Sequence, residues 1–247
     1  MFCSKYGVKY LSMLFMHNAA RLVFLFAMFV GFIETSVAEK SVDEKLRDGV
    51  MLRDMEMLRS ALQAGADPNY NPKGKPGPLW LAVNNQNPVI LELLLKNGGD
   101  PNLVDIYGSP IIHEAARVIN TTRDHSAENL ELLVRFGADI EAQDEKKRYR
   151  TLNSATVFGT YSTIKTLLDL GANPNNTPIN GFPALFGLSN NRHCKLDCLE
   201  LLLRRGANPD LISKISKRSY RESINSNKDI NKEKIELVEK YYPEKQN

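Results

Sequence analysis

A five-residue phrase recurs five times along this chain, and its spacing constrains the fold more than any other feature. Gly65-Ala66-Asp67-Pro68-Asn69 returns as Gly98-Gly99-Asp100-Pro101-Asn102, Gly137-Ala138-Asp139-Ile140-Glu141, Gly171-Ala172-Asn173-Pro174-Asn175 and Gly206-Ala207-Asn208-Pro209-Asp210. The intervals are 33, 39, 34 and 35 residues. Periods of about 20–50 residues mark stacked-repeat architectures. A unit of that size has no core of its own and is held by burying its apolar face against its neighbours.

Each phrase follows an apolar stretch: Val89 to Leu95, Leu130 to Val134, Ile164 to Leu170 and Leu199 to Leu203. These read as helices with a leucine stripe turned to the stack. The glycine just past the stripe suits a left-handed C-cap. A proline three residues later keeps the helix from resuming. Asp or Asn then closes a tight turn through side chain to backbone hydrogen bonds.

A shorter helix opens each unit, at Gly77-Pro78-Leu79-Trp80-Leu81-Ala82, Pro110-Ile111-Ile112-His113-Glu114-Ala115, Arg150-Thr151-Leu152-Asn153-Ser154-Ala155 and Pro183-Ala184-Leu185-Phe186-Gly187-Leu188. These openings, with the period near 33, resemble the Thr-Pro-Leu-His-x-Ala motif of ankyrin repeats. The resemblance covers roughly residues 42 to 242. It implies an all-α solenoid of about six helix pairs with β-turn fingers. Among these openings only His113 keeps the family's histidine; Trp80, Asn153 and Phe186 stand in its place, so its hydrogen-bonding role is expected to weaken. Charged helix pairs at about 41–69 and 211–242 read as caps within a repeat domain at 39–247. The third unit carries about six extra residues around Asn120 to His125, and the fifth about two near Asn190 to His193.

The N-terminus has a different character. Leu22 to Ile33 is a run of twelve residues without a charge, preceded by Arg21 and followed by Ser36-Val37-Ala38. A basic flank, a short apolar core and a small-x-small site describe a secretory signal peptide over 1–38, cut between Ala38 and Glu39. As a helix the core spans about 18 Å, short of the roughly 30 Å hydrocarbon layer, so no stable membrane anchor is expected. Export to a bacterial periplasm is the expected localisation. Starts at Met51 or Met55 would leave a minor cytoplasmic pool. The formal net charge of +3 argues against a nucleic-acid binder, and Lys5, Lys9 and Arg21 leave with the leader.

No catalytic set stands out. His113-Glu114 lacks the second histidine of a metalloprotease helix. The serines lie in no Gly-x-Ser-x-Gly elbow, and the glycines are spent on turns. No cofactor and no metal are expected. Cys194 and Cys198 allow three readings: two small packing residues, a weak metal pair, or a local disulfide, which is strained inside a regular helix and needs the helix to start late.

The resemblance therefore implies a protein binder that is no enzyme, monomeric when free. Ankyrin proteins bind through finger tips and the exposed ends of the inner helices. Carried onto this chain, the fingers offer Lys73, Tyr107, Arg148, Tyr149, Asn180 and Phe182. The inner-helix ends offer Asn84, Asn85, Arg117, Phe158 and Asn190. The charged finger from Asp144 to Arg150 reads as a solvated turn or as an electrostatic contact for an acidic surface. A leader on a free-standing array resembles periplasmic ankyrin immunity proteins that neutralise type VI secretion effectors, notably phospholipases. One protein partner, a lipase effector, is the leading expectation. A periplasmic scaffold or stress-protection factor, and a secreted host-directed effector, are the alternatives.

Overall fold

The computed structural model describes residues 40–105, 108–117, 124–144, 149–179 and 181–243; the leader expected at 1–38, the Glu39 terminus and most of the insertion expected around Asn120 to His125 lie outside them. The described residues hold twelve α-helices in six pairs. The pairs are α1 (Val42–Leu52) with α2 (Met55–Gln63), α3 (Pro78–Asn84) with α4 (Pro88–Lys96), and α5 (Ile111–Ala115) with α6 (Ser126–Arg135). There follow α7 (Thr151–Phe158) with α8 (Tyr161–Asp169), α9 (Ala184–Gly187) with α10 (Leu196–Arg204), and α11 (Tyr220–Asn225) with α12 (Lys232–Tyr241). Helices α1, α3, α5, α7 and α9 stack as one layer, and α4, α6, α8, α10 and α12 as a second. Among the described residues, only isolated bridges occur in place of a sheet, at Val104–Pro110, Gln143–Arg150 and Ile212–Ser219, each closing the base of a finger. No helix of the described residues is long and apolar enough to cross a membrane.

The repeated phrase acts as the sequence predicts. Gly65, Gly98, Gly137, Gly171 and Gly206 all have φ between 85° and 99°. The next residue donates its N–H back over the last turn, as Ala138 N to Leu133 O (2.9 Å) and Ala172 N to Leu167 O (2.9 Å). That is the Schellman closure, which satisfies carbonyls a helix end leaves open. The leucines before the glycine form the core; Leu94, Leu133, Leu167 and Leu202 are fully buried.

The last residue of the phrase does more than close its own turn. Asn69 Nδ2 donates to Gly98 O (2.9 Å) while its Oδ1 accepts from Asp100 N (2.7 Å). Asn102 makes the same pair with Gly137 O (3.0 Å) and Asp139 N (2.8 Å), and Asn175 with Gly206 O (2.8 Å) and Asn208 N (2.7 Å). Each unit's turn is thus tied to the next by two hydrogen bonds. Glu141 replaces the asparagine once, and its carboxylate accepts from Asn173 N (2.7 Å) and Asn176 Nδ2 (2.7 Å).

A second ladder runs through the opening motif. His113 Nε2 donates to Ala142 O at 2.9 Å, and Asn153 Nδ2 donates to Phe182 O at 2.9 Å. Arg47, at the same register of the first cap, donates from Nε to Pro76 O at 3.0 Å. All three bonds reach 29 residues ahead. The histidine's role is therefore kept by other donors. It lapses at Phe186, which has no side-chain donor, and at Trp80, whose indole N–H makes no such bond among the described residues.

Of the three readings open to Cys194 and Cys198, the structure shows the local disulfide. They form a disulfide, with Cα atoms 5.7 Å apart. The geometry is open to them because α10 starts only at Leu196, leaving Cys194 in the preceding turn. Buried Asn191 shapes that turn: its Oδ1 accepts from His193 N (2.7 Å) and Cys194 N (2.9 Å), and its Nδ2 donates to Thr156 O and Gly159 O. Both cysteines still pack in the core.

On the outer layer carboxylates pair between units. Glu92 meets Lys96 (3.1 Å) and Arg135 (2.8 Å), Asp169 meets Lys165 and Arg205 (each 2.5 Å), and Glu200 meets Lys240 at 3.3 Å. Hydrogen bonds hold all three below their ordinary values: from Lys96 for Glu92, from Lys165 and Arg205 for Asp169, and from the Tyr241 hydroxyl and Lys240 for Glu200. A depressed carboxylate stabilises the fold above its unfolded value and loses that contribution as pH falls through its folded value. The thermal midpoint should fall as pH is taken from neutrality through and below the usual carboxylate range. The triple change Glu92→Gln, Asp169→Asn and Glu200→Gln should flatten that fall, measured as midpoint against pH. An unchanged slope would mean these exposed pairs contribute nothing, as many do.

Candidate functional site

The stacked leucines are consumed by the core, which leaves the fingers and inner-helix ends as the candidate recognition surface. Two inner-helix ends meet at the centre of the array. Gly159 ends α7, and a Cβ there would lie 3.0 Å from Ala116 O and 2.7 Å from Ala155 O. Its absence lets the two ends approach. The Arg117 guanidinium lies 4.6 Å from the centre of the Phe158 ring. Phe158 remains 41% exposed, and Arg117 is flanked by Glu114 at 3.9 Å. Arg117 Nε is buried without a hydrogen-bond partner among the described residues. An Arg stacked on an open aromatic ring is worth about 0.5–1 kcal/mol when exposed and about 2 kcal/mol when desolvated. Covering it with a partner would strengthen it.

Arg117 and Phe158 are thus brought together. Asn84 and Asn190 are exposed at neighbouring helix ends; Asn85 is half-buried and its carbonyl accepts from Arg53 Nη2 (3.3 Å). Among the fingers, Lys73 is exposed and Tyr149 half-buried. Tyr107, Arg148 and Asn180 lie outside the described residues, as do Ala38 and Glu39. The ends of the charged finger are structural. Asp144 is buried and accepts from Ser109 Oγ (3.2 Å), and Arg150 donates to Glu141 O (2.6 Å) and Thr177 O (3.4 Å).

Phe182 departs from the expected finger tip. It is half-buried, with its ring 5.6 Å from Phe186, which stands edge-on to Tyr220 at 5.7 Å. The cluster fills the space left where Phe186 replaces the ladder donor, and burial pushes the Tyr220 phenol up to about 12.

The sequence reading passed over four exposed finger aliphatics: Val104 (49%), Ile179 (64%), Ile212 (66%) and Ile215 (63%). Ile179 stands on the finger whose Gly181 carbonyl accepts from Lys214 N (3.0 Å), so the fifth and sixth fingers touch. Val104 and Ile212 share a register, six residues after the phrase glycine. That signal was present in the sequence. An apolar cleft of about 190 Å³ also opens between the second and third fingers beside Trp80. Among the described residues no group of three His, Cys, Asp or Glu could hold a metal ion.

The family model described as "Ankyrin repeat" matches residues 77–106, the unit that contains α3, α4 and the next finger base. The fold is an ankyrin-repeat solenoid. The ankyrin repeat protein nuc-2 of Neurospora crassa is 34% identical over 51% of this chain and 11% of its own length. A mitochondrial disaggregase of Bos taurus is 30% identical over 56% of the chain and 20% of its own length. A Treponema pallidum protein described as ankyrin repeat-containing is 29% identical over 55% of the chain and 44% of its own length. Each match thus spans less than half of the relative. Ankyrin repeats are in general protein-interaction modules without catalysis, so the ankyrin array is a protein-binding scaffold.

Proposed function

We propose that this scaffold is a secreted immunity protein that binds and neutralises one toxic lipase effector of type VI secretion. The observation that carries the reading is the Arg117–Phe158 pair at the array's centre, an exposed aromatic ring with a half-buried cation over it. Trp, Tyr and Arg dominate interface energetics, and such anchors sit near interface centres. The Cys194–Cys198 disulfide supports an oxidising compartment, where such bonds persist. The Leu22 to Ile33 core with Ser36-Val37-Ala38 supports export to the periplasm by a cleaved leader. Neutralisation would come from covering the lipase active site or holding its lid shut.

Two measurements test this. N-terminal sequencing of the envelope fraction should find a chain beginning at Glu39; an uncut chain confined to the cytoplasm would end the export reading. Capture from the native cell envelope should then bring down a lipase whose hydrolysis of phospholipid vesicles is suppressed in the complex. A captured lipase that stays fully active would replace inhibition with a carrier role.

A further inference from the structure

We infer that the Trp80 cleft is an anchoring socket for one bulky aliphatic side chain, presented by an acidic segment of a partner protein. The inference rests on the reading of the array as a protein binder, and it names where and what that binder grips.

Arg47, His113 and Asn153 each spend the ladder position on a hydrogen bond to the carbonyl 29 residues ahead. Two units give that bond up for an aromatic ring. At Phe186 the vacated space is filled from within by Phe182 and Tyr220. At Trp80 no second ring among the described residues fills it. The cleft there, about 190 Å³, is lined by Gly74, Pro76, Trp80, Leu103, Val104 and Ile111, with mainly carbon surface. A local rule broken without an internal replacement points to function at that place.

Size and polarity decide the occupant. Small-molecule pockets run to about 300–1,000 Å³, so this socket suits a single side chain rather than a cofactor or metabolite. The Trp80 indole N–H donates to no acceptor among the described residues, leaving it for a carbonyl of a visiting backbone. Charge completes the match. Lys73 and Lys75, the sequence neighbours of the lining residue Gly74, are both exposed, and neither forms an ion pair within the described residues. The opposite wall offers Asp105, whose Oδ1 already accepts from Ser109 N at 2.8 Å. Two lysines beside Gly74 outnumber this one carboxylate, so the balance of charge around the cleft is positive. An apolar anchor flanked by carboxylates is the complement: the anchor supplies burial, and the lysines supply orientation and encounter rate.

The chain's only tryptophan lies in this cleft, so its emission reports occupancy directly. The full chain is titrated, to millimolar concentration, with the capped peptide Asp-Glu-Leu-Glu-Asp. A saturable blue shift is expected, as the indole loses water. The same peptide with alanine for leucine should give none. The leucine peptide with lysines for the acids should bind at least tenfold more weakly. The double change Lys73→Glu and Lys75→Glu, on exposed side chains that leave the fold intact by far-UV circular dichroism, should weaken the acidic peptide by at least tenfold. No saturable shift with the acidic leucine peptide overturns the socket. An equal response from the alanine peptide overturns the aliphatic anchor, and indifference to both charge reversals overturns the acidic flank. None of these outcomes depends on whether a lipase is ever captured, so the socket and the immunity reading stand or fall separately.

Discussion

Leu133→Ala is expected to lower the stability of the array by about 2–5 kcal/mol, the cost of emptying a fully buried leucine site. Its consequence should also be spatially limited. Leu133 lies in α6, which packs on α5 within its unit and on α4 and α8 in the flanking units. A cavity there weakens both interfaces that hold the third unit in the stack. In a quasi-one-dimensional array stability is a sum over units and nearest-neighbour contacts. Native-state hydrogen exchange should therefore show the greatest loss of protection in α4 to α8. Leu58→Ala, at an equally buried position in α2 of the first cap, should spread its loss only towards α1 and α3. Equal loss of protection in every helix for both variants would make the fold a single cooperative unit and refute this description.

The same nearest-neighbour logic explains how much of the fold was legible beforehand. The phrase glycines mark helix ends because a left-handed residue is local chemistry, readable from Gly and its flanking leucines alone. The asparagine ladder was not readable in that way. Asn69, Asn102 and Asn175 look like turn formers, and in their own turns each donates its backbone N–H to the side chain two residues before it, Asp67, Asp100 and Asn173. Their second role, on the next unit's glycine carbonyl, depends on the stacking distance, which no single phrase reveals. Asn153 illustrates the converse error. Judged against a histidine motif it looks like a lost interaction. Judged by geometry it needs only a donor that reaches Phe182 O, which an amide supplies. Cys194 turned on two residues of helix boundary, where sequence signals are weakest. For the candidate site, exposure was the missing quantity: aromatic character alone cannot separate Phe158, open to solvent, from Phe182, folded against Phe186.

That distinction yields the second large effect. Phe158→Ala should cost at least about 2 kcal/mol in binding to the captured partner, on the order of a thirtyfold loss, while barely moving the thermal midpoint. The ring is exposed in the free protein, so truncation removes little that folding buries. Arg117→Ala should weaken binding similarly, because the unpartnered Nε and the stacked guanidinium are then both absent. Arg117→Lys should recover only part of the loss, since an ammonium keeps the charge but not the planar fork that lies over the ring. Phe182→Ala should behave in the opposite sense. It opens the cluster with Phe186 and Tyr220 and should lower the midpoint, with binding changed only as far as the fold is. Calorimetric titration of the four variants beside their melting curves separates the two roles. If Phe158→Ala destabilises the free protein and binds as tightly as the parent, the stack is a structural clamp between two units. The recognition surface must then be sought on the aliphatic fingers at Ile179, Ile212 and Ile215, whose exposure stacking leaves unexplained.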